Sequence, residues 1–295
     1  MWNKPWTMKE GFLIGGGLIL VGLMLELSIG PVVWDAFVWP VNGIVLVGFM
    51  ALIIAMHLLR KKVYAFRFLS TCQAAIPVMC YAVVLTVVMG LTRQTENGRW
   101  LNSMLTFWPF VLTYVYMAVI VGLVVLKSVV RMKSVSKIVA ALFHLGLFIT
   151  MTTATLGNAD VQRLKMITIT GESEWRALDQ QGRVREMPLA IELKKFIMEA
   201  YDDGSPKRFA SEIQVLTKTG KKIETTVDVN KPVEVDGWKI YQYGYDTSMG
   251  AMSKMSILEL VSDPWLPCVY LGIYMMLAGG VLMFVSGVRR KEAQA

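Results

Sequence analysis

Long apolar runs separated by short polar stretches make up most of this chain. A transmembrane helix needs about 20 mostly apolar residues to cross roughly 30 Å of hydrocarbon. Six stretches meet that requirement, five of them before residue 157. They predict transmembrane helices over Gly11–Ile29, Ala36–Leu59, Gln73–Leu91, Leu105–Leu126, Ile138–Leu156 and Trp265–Val288.

Residues 157–263 follow a different pattern, in which apolar and polar positions alternate and β-branched and aromatic residues are frequent. Turn sequences such as Thr219-Gly220 and Asp236-Gly237 separate the alternating stretches. We therefore expect an all-β sandwich or barrel inserted between two transmembrane helices. The predicted strands are Met166–Thr170, Leu189–Phe196, Phe209–Leu216, Ile223–Val229, Lys239–Tyr245 and Met255–Leu260.

Composition supports the membrane prediction. The 295 residues are 55% hydrophobic and only 18% charged, whereas a soluble domain carries about 25% charged residues. The mean hydropathy is +0.49. A soluble protein, a disordered chain and a small disulfide-rich scaffold are therefore excluded.

The distribution of basic residues predicts the orientation. Two short loops on one side hold only Arg93 and Arg99, and the polar segments on the other side hold the remaining basic residues of the helical part. By the positive-inside rule, both termini are cytoplasmic and residues 157–263 lie outside. The basic segments contain Lys4, Lys9, Arg60, Lys61, Lys62, Arg67, Lys127, Arg131, Lys133, Lys137, Arg289, Arg290 and Lys291.

The same distribution explains the net charge of +8. Residues 157–263 hold 15 basic and 17 acidic residues, a net of −2, so the helical part carries +10. The basic excess is a property of membrane topology, and nothing in it suggests nucleic-acid binding.

Few residues offer catalytic chemistry. Residues 157–263 contain no histidine and no cysteine, and the three cysteines of the chain lie in or beside predicted helices. No nucleophile-elbow, phosphate-loop or zinc-protease motif is present. We predict no catalytic residue and no metal site beyond a haem iron.

Two histidines and one acidic residue lie in the predicted helices. His144 lies about 9–10 Å inside the fifth helix, on the cytoplasmic side, where an ionisable residue is costly. Its imidazole either bonds a neighbouring helix or serves as an axial ligand for haem iron, which the surrounding Phe and Leu residues would suit. His57 lies at the cytoplasmic end of the second helix, where a structural role is expected and a haem contact is the alternative. Glu26 lies near the outer end of the first helix and is expected to reach the membrane surface.

Several short sequences resemble those of a known family. They are Phe143-His144-Leu145, Gly157-Asn158-Ala159-Asp160, Gly204 through Ile213, Val229-Asn230-Lys231-Pro232-Val233, Gly237 through Asp246, Asp263-Pro264 and Tyr270-Leu271-Gly272. Together they are similar to the ResB/CcsB family, whose membrane proteins work with CcsA in the system II pathway of cytochrome c maturation. The similarity covers roughly residues 72–290.

Some of these residues also have a plain structural role. Asn230-Lys231-Pro232 predicts a turn. Trp238, Tyr241 and Tyr243 are the kind of side chains that a small β core buries. We expect these residues to identify the family without carrying its chemistry.

The resemblance implies a division of the chain. The family usually has three transmembrane helices before its external domain and one after it. Residues 1–60 would then be an additional N-terminal hairpin, and 61–156 the three-helix bundle that carries His144. Residues 157–263 would be the extracytoplasmic β-domain, and 264–295 the last helix with a basic cytoplasmic tail.

The resemblance also implies a function. The chain would be one subunit of a complex in the bacterial inner membrane that moves haem b across the membrane and supports its attachment to apocytochrome c. His144 would supply one axial ligand. The attachment chemistry would depend on a CcsA-like, Trp-rich membrane partner, because residues 157–263 hold no histidine. The alternative is a non-catalytic scaffold whose β-domain binds another membrane complex.

Overall fold

The structure is a computed structural model that describes residues 2–95, 98–130, 135–202 and 206–292. The chain divides into a helical unit, Met1–Ala159 with Trp265–Ala295, and a β unit, Asp160–Pro264. The finer division of the helical part at residue 60 stays a prediction. The basic residues Arg131 and Lys133 lie outside the described residues.

The described residues of the helical unit form six helices that are long and apolar enough to cross a membrane, as the sequence predicts. A seventh, short helix, α3, lies in the basic loop after the second long helix and was not predicted. The helices are α1 Met8–Ile29, α2 Val41–Leu59, α3 Tyr64–Leu69, α4 Cys72–Leu91, α5 Trp108–Val129, α6 Val135–Gly157 and α7 Leu266–Glu292.

Two long helices begin later than their apolar runs suggest. α2 begins at Val41 because Trp34–Phe37 forms a separate 3-10 turn, which Pro40 follows. α5 begins after a 3-10 segment, Trp100–Thr106. Pro109 lies in the first turn of α5, where the N–H that proline lacks has no intrahelical partner.

Glycines set the closest contacts between helices. A Cβ atom on Gly146 of α6 would lie 2.6 Å from the carbonyl oxygen of Gly272 in α7. A Cβ atom on Gly22 of α1 would lie 2.6 Å from the nitrogen of Pro109 in α5. These two helix pairs therefore pack backbone to backbone, as small residues allow in membrane proteins.

The β unit is one antiparallel sheet, in which the described residues form eight strands in the order β5-β4-β3-β2-β1-β8-β7-β6. The sheet bends back on itself, so that β5 contacts β6 and β7. The prediction of an all-β domain is confirmed. The strands are β1 Gln162–Ile169, β2 Ser173–Leu178, β3 Val184–Ala200, β4 Pro206–Thr217, β5 Lys222–Asp228, β6 Val233–Val235, β7 Trp238–Tyr245 and β8 Met255–Ser262.

Alternate residues of these strands fill a single apolar core. Ile191, Ile213, Ile240, Leu258 and their neighbours are almost completely buried, because successive side chains of a strand point to opposite faces of the sheet. The same alternation corrects one prediction. Tyr243 is 52% exposed and Tyr241 is half-buried, whereas Trp238 and Gln242 point inward.

The two ends of the β unit are neighbours. Gln162, which opens β1, pairs with Ser262, which closes β8. The chain therefore leaves α6 and returns to α7 through adjacent antiparallel strands.

Candidate functional site

His144 lies in the middle of α6 and is half-buried. Its Nδ1 atom lies 2.6 Å from the carbonyl oxygen of Ala140, one turn earlier. Its ring meets that of Phe143 edge to face, with centroids 5.8 Å apart. The backbone of α6 and an adjacent aromatic ring thus fix the imidazole.

This hydrogen bond selects the tautomer of the neutral ring. A carbonyl oxygen only accepts, so Nδ1 of His144 must carry the hydrogen and Nε2 is left with the lone pair. No hydrogen bond links Nε2 to another of the described residues. A neutral imidazole whose second nitrogen donates to a carbonyl is the usual arrangement of a metal-binding histidine.

The face of α6 that carries His144 and Phe148 differs from the face that contacts α7 most closely. Phe148, one turn further along α6, stacks on Phe49 of α2 with ring centroids 6.3 Å apart. The same ring lies against Gly122 of α5, where a Cβ atom would come within 2.9 Å of it. Gly146, on the other side of α6, contacts α7. His144 therefore belongs to the face that packs against α5 and α2.

α2 runs antiparallel to α6 along this face. The side-chain amide of Asn42, at the start of α2, donates to the carbonyl oxygen of Leu156 at 3.1 Å. Further along α2, Ile53 and Met56 pack with Phe148 and Leu123 in one apolar cluster. α2 is thus part of the helix interface that contains Phe148, one turn from His144.

His57 has a different environment. It lies in the last turn of α2, where Nη1 of Arg60 is 2.8 Å from its Nδ1 and 2.7 Å from its Nε2. A guanidinium only donates, so it occupies the lone pair that a metal would need. The geometry brings His57 to Arg60 and gives it no free ligand atom.

Glu26 has a structural role that the sequence did not reveal. The side chain is buried, and its Oε2 atom accepts a hydrogen bond from the backbone N–H of Trp108 at 3.2 Å. Trp108 begins α5, so the carboxylate lies at a helix N-terminus, where the macrodipole favours negative charge. The expectation that this side chain reaches the membrane surface stays a prediction.

The β unit contains a buried polar network. Oγ of Ser211 in β4 donates to Oγ of Ser256 in β8 at 2.7 Å, and the amide of Gln242 donates to Ser256 at 2.9 Å. Both serines are completely buried. The β unit holds no histidine and no cysteine, and the contact between the two serines joins β4 to β8, which are not neighbours in the sheet.

Taken together, these features define a multi-pass membrane protein with an all-β unit inserted between two packed helices. Residues 133–257 match the model of the ResB-like family. The resemblance predicted from short sequences is confirmed for this part of the chain, which is shorter than residues 72–290. Helices α1 to α5 and α7 lie outside the matched segment.

Two relatives show how far the similarity extends. The chain is 32% identical over 116 residues to the cytochrome c biogenesis protein CcsB of Prochlorococcus marinus subsp. pastoris, which is 39% of this chain and 26% of that protein. It is 29% identical over 103 residues to the protein of the same name from Gloeobacter violaceus, 34% of this chain and 22% of that protein. The matched part thus spans about a quarter of the length of these relatives.

A solved structure of Cytochrome c Heme Lyase CcmF aligns with 79% of this chain and 43% of its own chain. The sequence identity is 14% and the TM-score is 0.36.

Proposed function

We propose that this chain is a subunit of a cytochrome c biogenesis complex that moves haem across the membrane and supports its covalent attachment to apocytochrome c. The names of the CcsB relatives support the general role. The observation that carries the haem assignment is the Nδ1 hydrogen bond of His144, which leaves Nε2 as a fixed lone-pair donor.

The proposal includes an orientation. Thirteen basic residues on one side of the helices against Arg93 and Arg99 on the other support cytoplasmic termini in a bacterial inner membrane. The β unit would then be an extracytoplasmic domain of the sandwich or barrel type. Haem b would enter from the cytoplasmic side as cargo, and His144 would hold its iron by Nε2.

The chemistry of attachment would require a partner. The β unit holds no histidine, the side chain that most readily transfers protons near neutral pH. Among the described residues, no group of three or more His, Cys, Asp or Glu side chains is placed to hold a metal. A CcsA-like membrane subunit would supply the second axial ligand and the site where apocytochrome thiols meet the haem. In this proposal the chain is one part of a synthase and has no catalytic residue of its own.

The test is the haem content of the full chain, purified with and without a CcsA-like partner. His144→Ala is expected to remove most of the Soret absorbance and to abolish covalent haem on a C-x-x-C-H reporter. Added imidazole should restore haem binding, because it replaces a missing ligand and does not repair a packing defect. Ile138→Ala, on an exposed position of the same helix, is the matched control. Unchanged Soret absorbance in His144→Ala would refute the proposal.

The scaffold alternative has one observation in its favour. The outer face of the sheet exposes apolar side chains on β1 and β7, with Ile167 at 44%, Ile169 at 45% and Tyr243 at 52%. A scaffold would use this face to bind another membrane complex. Haem-free protein that still co-purifies with a partner would favour the scaffold, and haem bound through His144 would exclude it.

A further inference from the structure

Arg60 continues the helix face that packs on α6. Asn42, which bonds α6, and Arg60 are 60 − 42 = 18 residues apart, or about five turns at 3.6 residues per turn. Arg60 keeps a helical backbone conformation at the end of α2. Both residues therefore lie on the same side of the helix, and Arg60 is half-buried.

The guanidinium of Arg60 has no carboxylate partner among the described residues, whose ion pairs all lie in the β unit. Nη1 of Arg60 contacts the ring of His57. Nη2 and Nε, the pair that binds a carboxylate side by side, are left without a partner in the described part of the chain.

The register of α2 and α6 gives the distance along the bundle from Arg60 to His144. Asn42 of α2 lies beside Leu156 of α6, and Phe49 lies beside Phe148. Because the two helices are antiparallel, the numbers of residues at the same level sum to a nearly constant value, here 198 and 197. His144 is then level with positions 53 and 54. Arg60 lies six to seven residues further, or about 10 Å along the axis. This separation is comparable with the reach from the iron of a haem to its propionate groups.

We propose that Arg60, held in place by His57, binds a carboxylate of a planar, anionic macrocycle whose metal meets His144. This inference rests on the proposed function and adds a carboxylate-binding residue from the N-terminal hairpin. His57 is then a positioning residue for the guanidinium and is not an axial ligand. The ligand class is a metalloporphyrin with free propionates.

The experiment compares two probes on the full chain in lipid nanodiscs: iron protoporphyrin IX and its dimethyl ester, which lacks free carboxylates. The unmodified protein is expected to bind the free acid about tenfold more tightly than the ester, since charge-assisted hydrogen bonds are the strong ones. Arg60→Gln should weaken binding of the acid about tenfold and leave binding of the ester unchanged. Arg60→Lys should retain part of the preference, because lysine keeps the charge and loses the paired N–H groups.

Two further variants separate the roles. His57→Leu should reduce the preference for the free acid without changing the binding of the ester. Lys61→Gln, at the exposed neighbouring position, should behave like the unmodified protein. An Arg60→Gln protein that keeps the full preference, or loses acid and ester equally, would overturn the inference. If His144→Ala bound both probes normally, the proposed function itself would fail, which is a distinguishable result.

Discussion

The carboxylate of Glu26 and the backbone N–H of Trp108 form a hydrogen bond of 3.2 Å between two different transmembrane helices. The indole of Trp108 also donates to the carbonyl oxygen of Gly30 at 2.8 Å. α1 and α5 are thus joined by polar contacts at the same end where Gly22 meets Pro109.

Removing the Glu26 carboxylate should weaken the contact between α1 and α5. Glu26→Ala is expected to lower the free energy of unfolding by about 1–3 kcal/mol, because the buried N–H of Trp108 loses its acceptor. Glu26→Gln should cost less, since its amide oxygen still accepts. The measurement is SDS-induced unfolding followed by tryptophan fluorescence. Met24→Ala, 67% exposed on the same helix, serves as control, and an equal loss there would contradict the prediction.

A methyl group at the contact between α6 and α7 should separate these helices. In Gly146→Ala the new Cβ atom would lie 2.6 Å from a backbone oxygen of α7, and backbone cannot move aside as a flexible side chain can. We expect a lower midpoint of thermal unfolding in detergent. Gly17→Ala provides the comparison, since a Cβ atom there meets nothing within 4 Å. Equal thermal stability of the two variants would show that the close contact of Gly146 with α7 does not determine stability.

The serine pair in the β unit should show coupling. Ser211→Ala or Ser256→Ala alone is expected to cost about 1–3 kcal/mol, because a buried hydroxyl loses its partner. The double variant should cost less than the sum of the two single changes. Urea denaturation followed by near-ultraviolet circular dichroism measures the three values, with Ser173→Ala at an exposed position as control. Additive costs would mean that the two hydroxyls do not interact.

Arg208 should make the β unit depend on pH. Its guanidinium donates to Asp228 at 2.8 Å and lowers the pKa of that carboxyl below its ordinary 3.8. A lowered carboxyl pKa stabilises the folded state above the ordinary value, and the gain is lost as pH falls through the lowered value. Arg208→Gln should therefore differ from the unmodified protein above pH 3.8, and the difference should shrink in stronger acid.

Hydrogen exchange of β4 and β5, compared at the same pH for both proteins, measures this difference. Arg163→Gln is the control, because Arg163 is exposed and forms no ion pair with the described residues. A difference that grows toward acid would have the wrong sign for a lowered pKa.

The sequence predicted the elements whose signal is long or regular. The length of the apolar runs was enough to predict six helices, and the alternation of apolar and polar residues was enough to predict the central strands. Two strands were missed. β2 is Ser-Glu-Trp-Arg-Ala-Leu, in which only Ala177 is buried and a register shift between Glu174 and Arg176 breaks the alternation. β6 has only three residues. Neither strand therefore shows a detectable alternation of apolar and polar residues. The predicted strand Leu189–Phe196 was too short, because charged residues near both ends of β3 interrupt the apolar pattern from which a strand is predicted.

The candidate site was predictable only in part. His144 stands out because an ionisable residue is rare in an apolar helix. Its tautomer, and the face of α6 that carries it, depend on packing against α5 and α2 and cannot be read from residue spacing. From the sequence alone, Arg60 is only one of the basic residues that predict the membrane topology. Its relation to His57 follows from the helix, since the two residues are one turn apart.

The insertion of the β unit between α6 and α7 has a consequence for synthesis. Residues 158–265 separate the two helices, so a ribosome adding about 5–20 residues per second needs about 5–20 s to translate them. During that time α6 has been synthesised but lacks α7, the helix that later packs against Gly146. α1 through α5 have already been made, so the surroundings of His144 can assemble while the strands are still emerging. α7 is the last long helix to join, and it covers the face of α6 that carries Gly146.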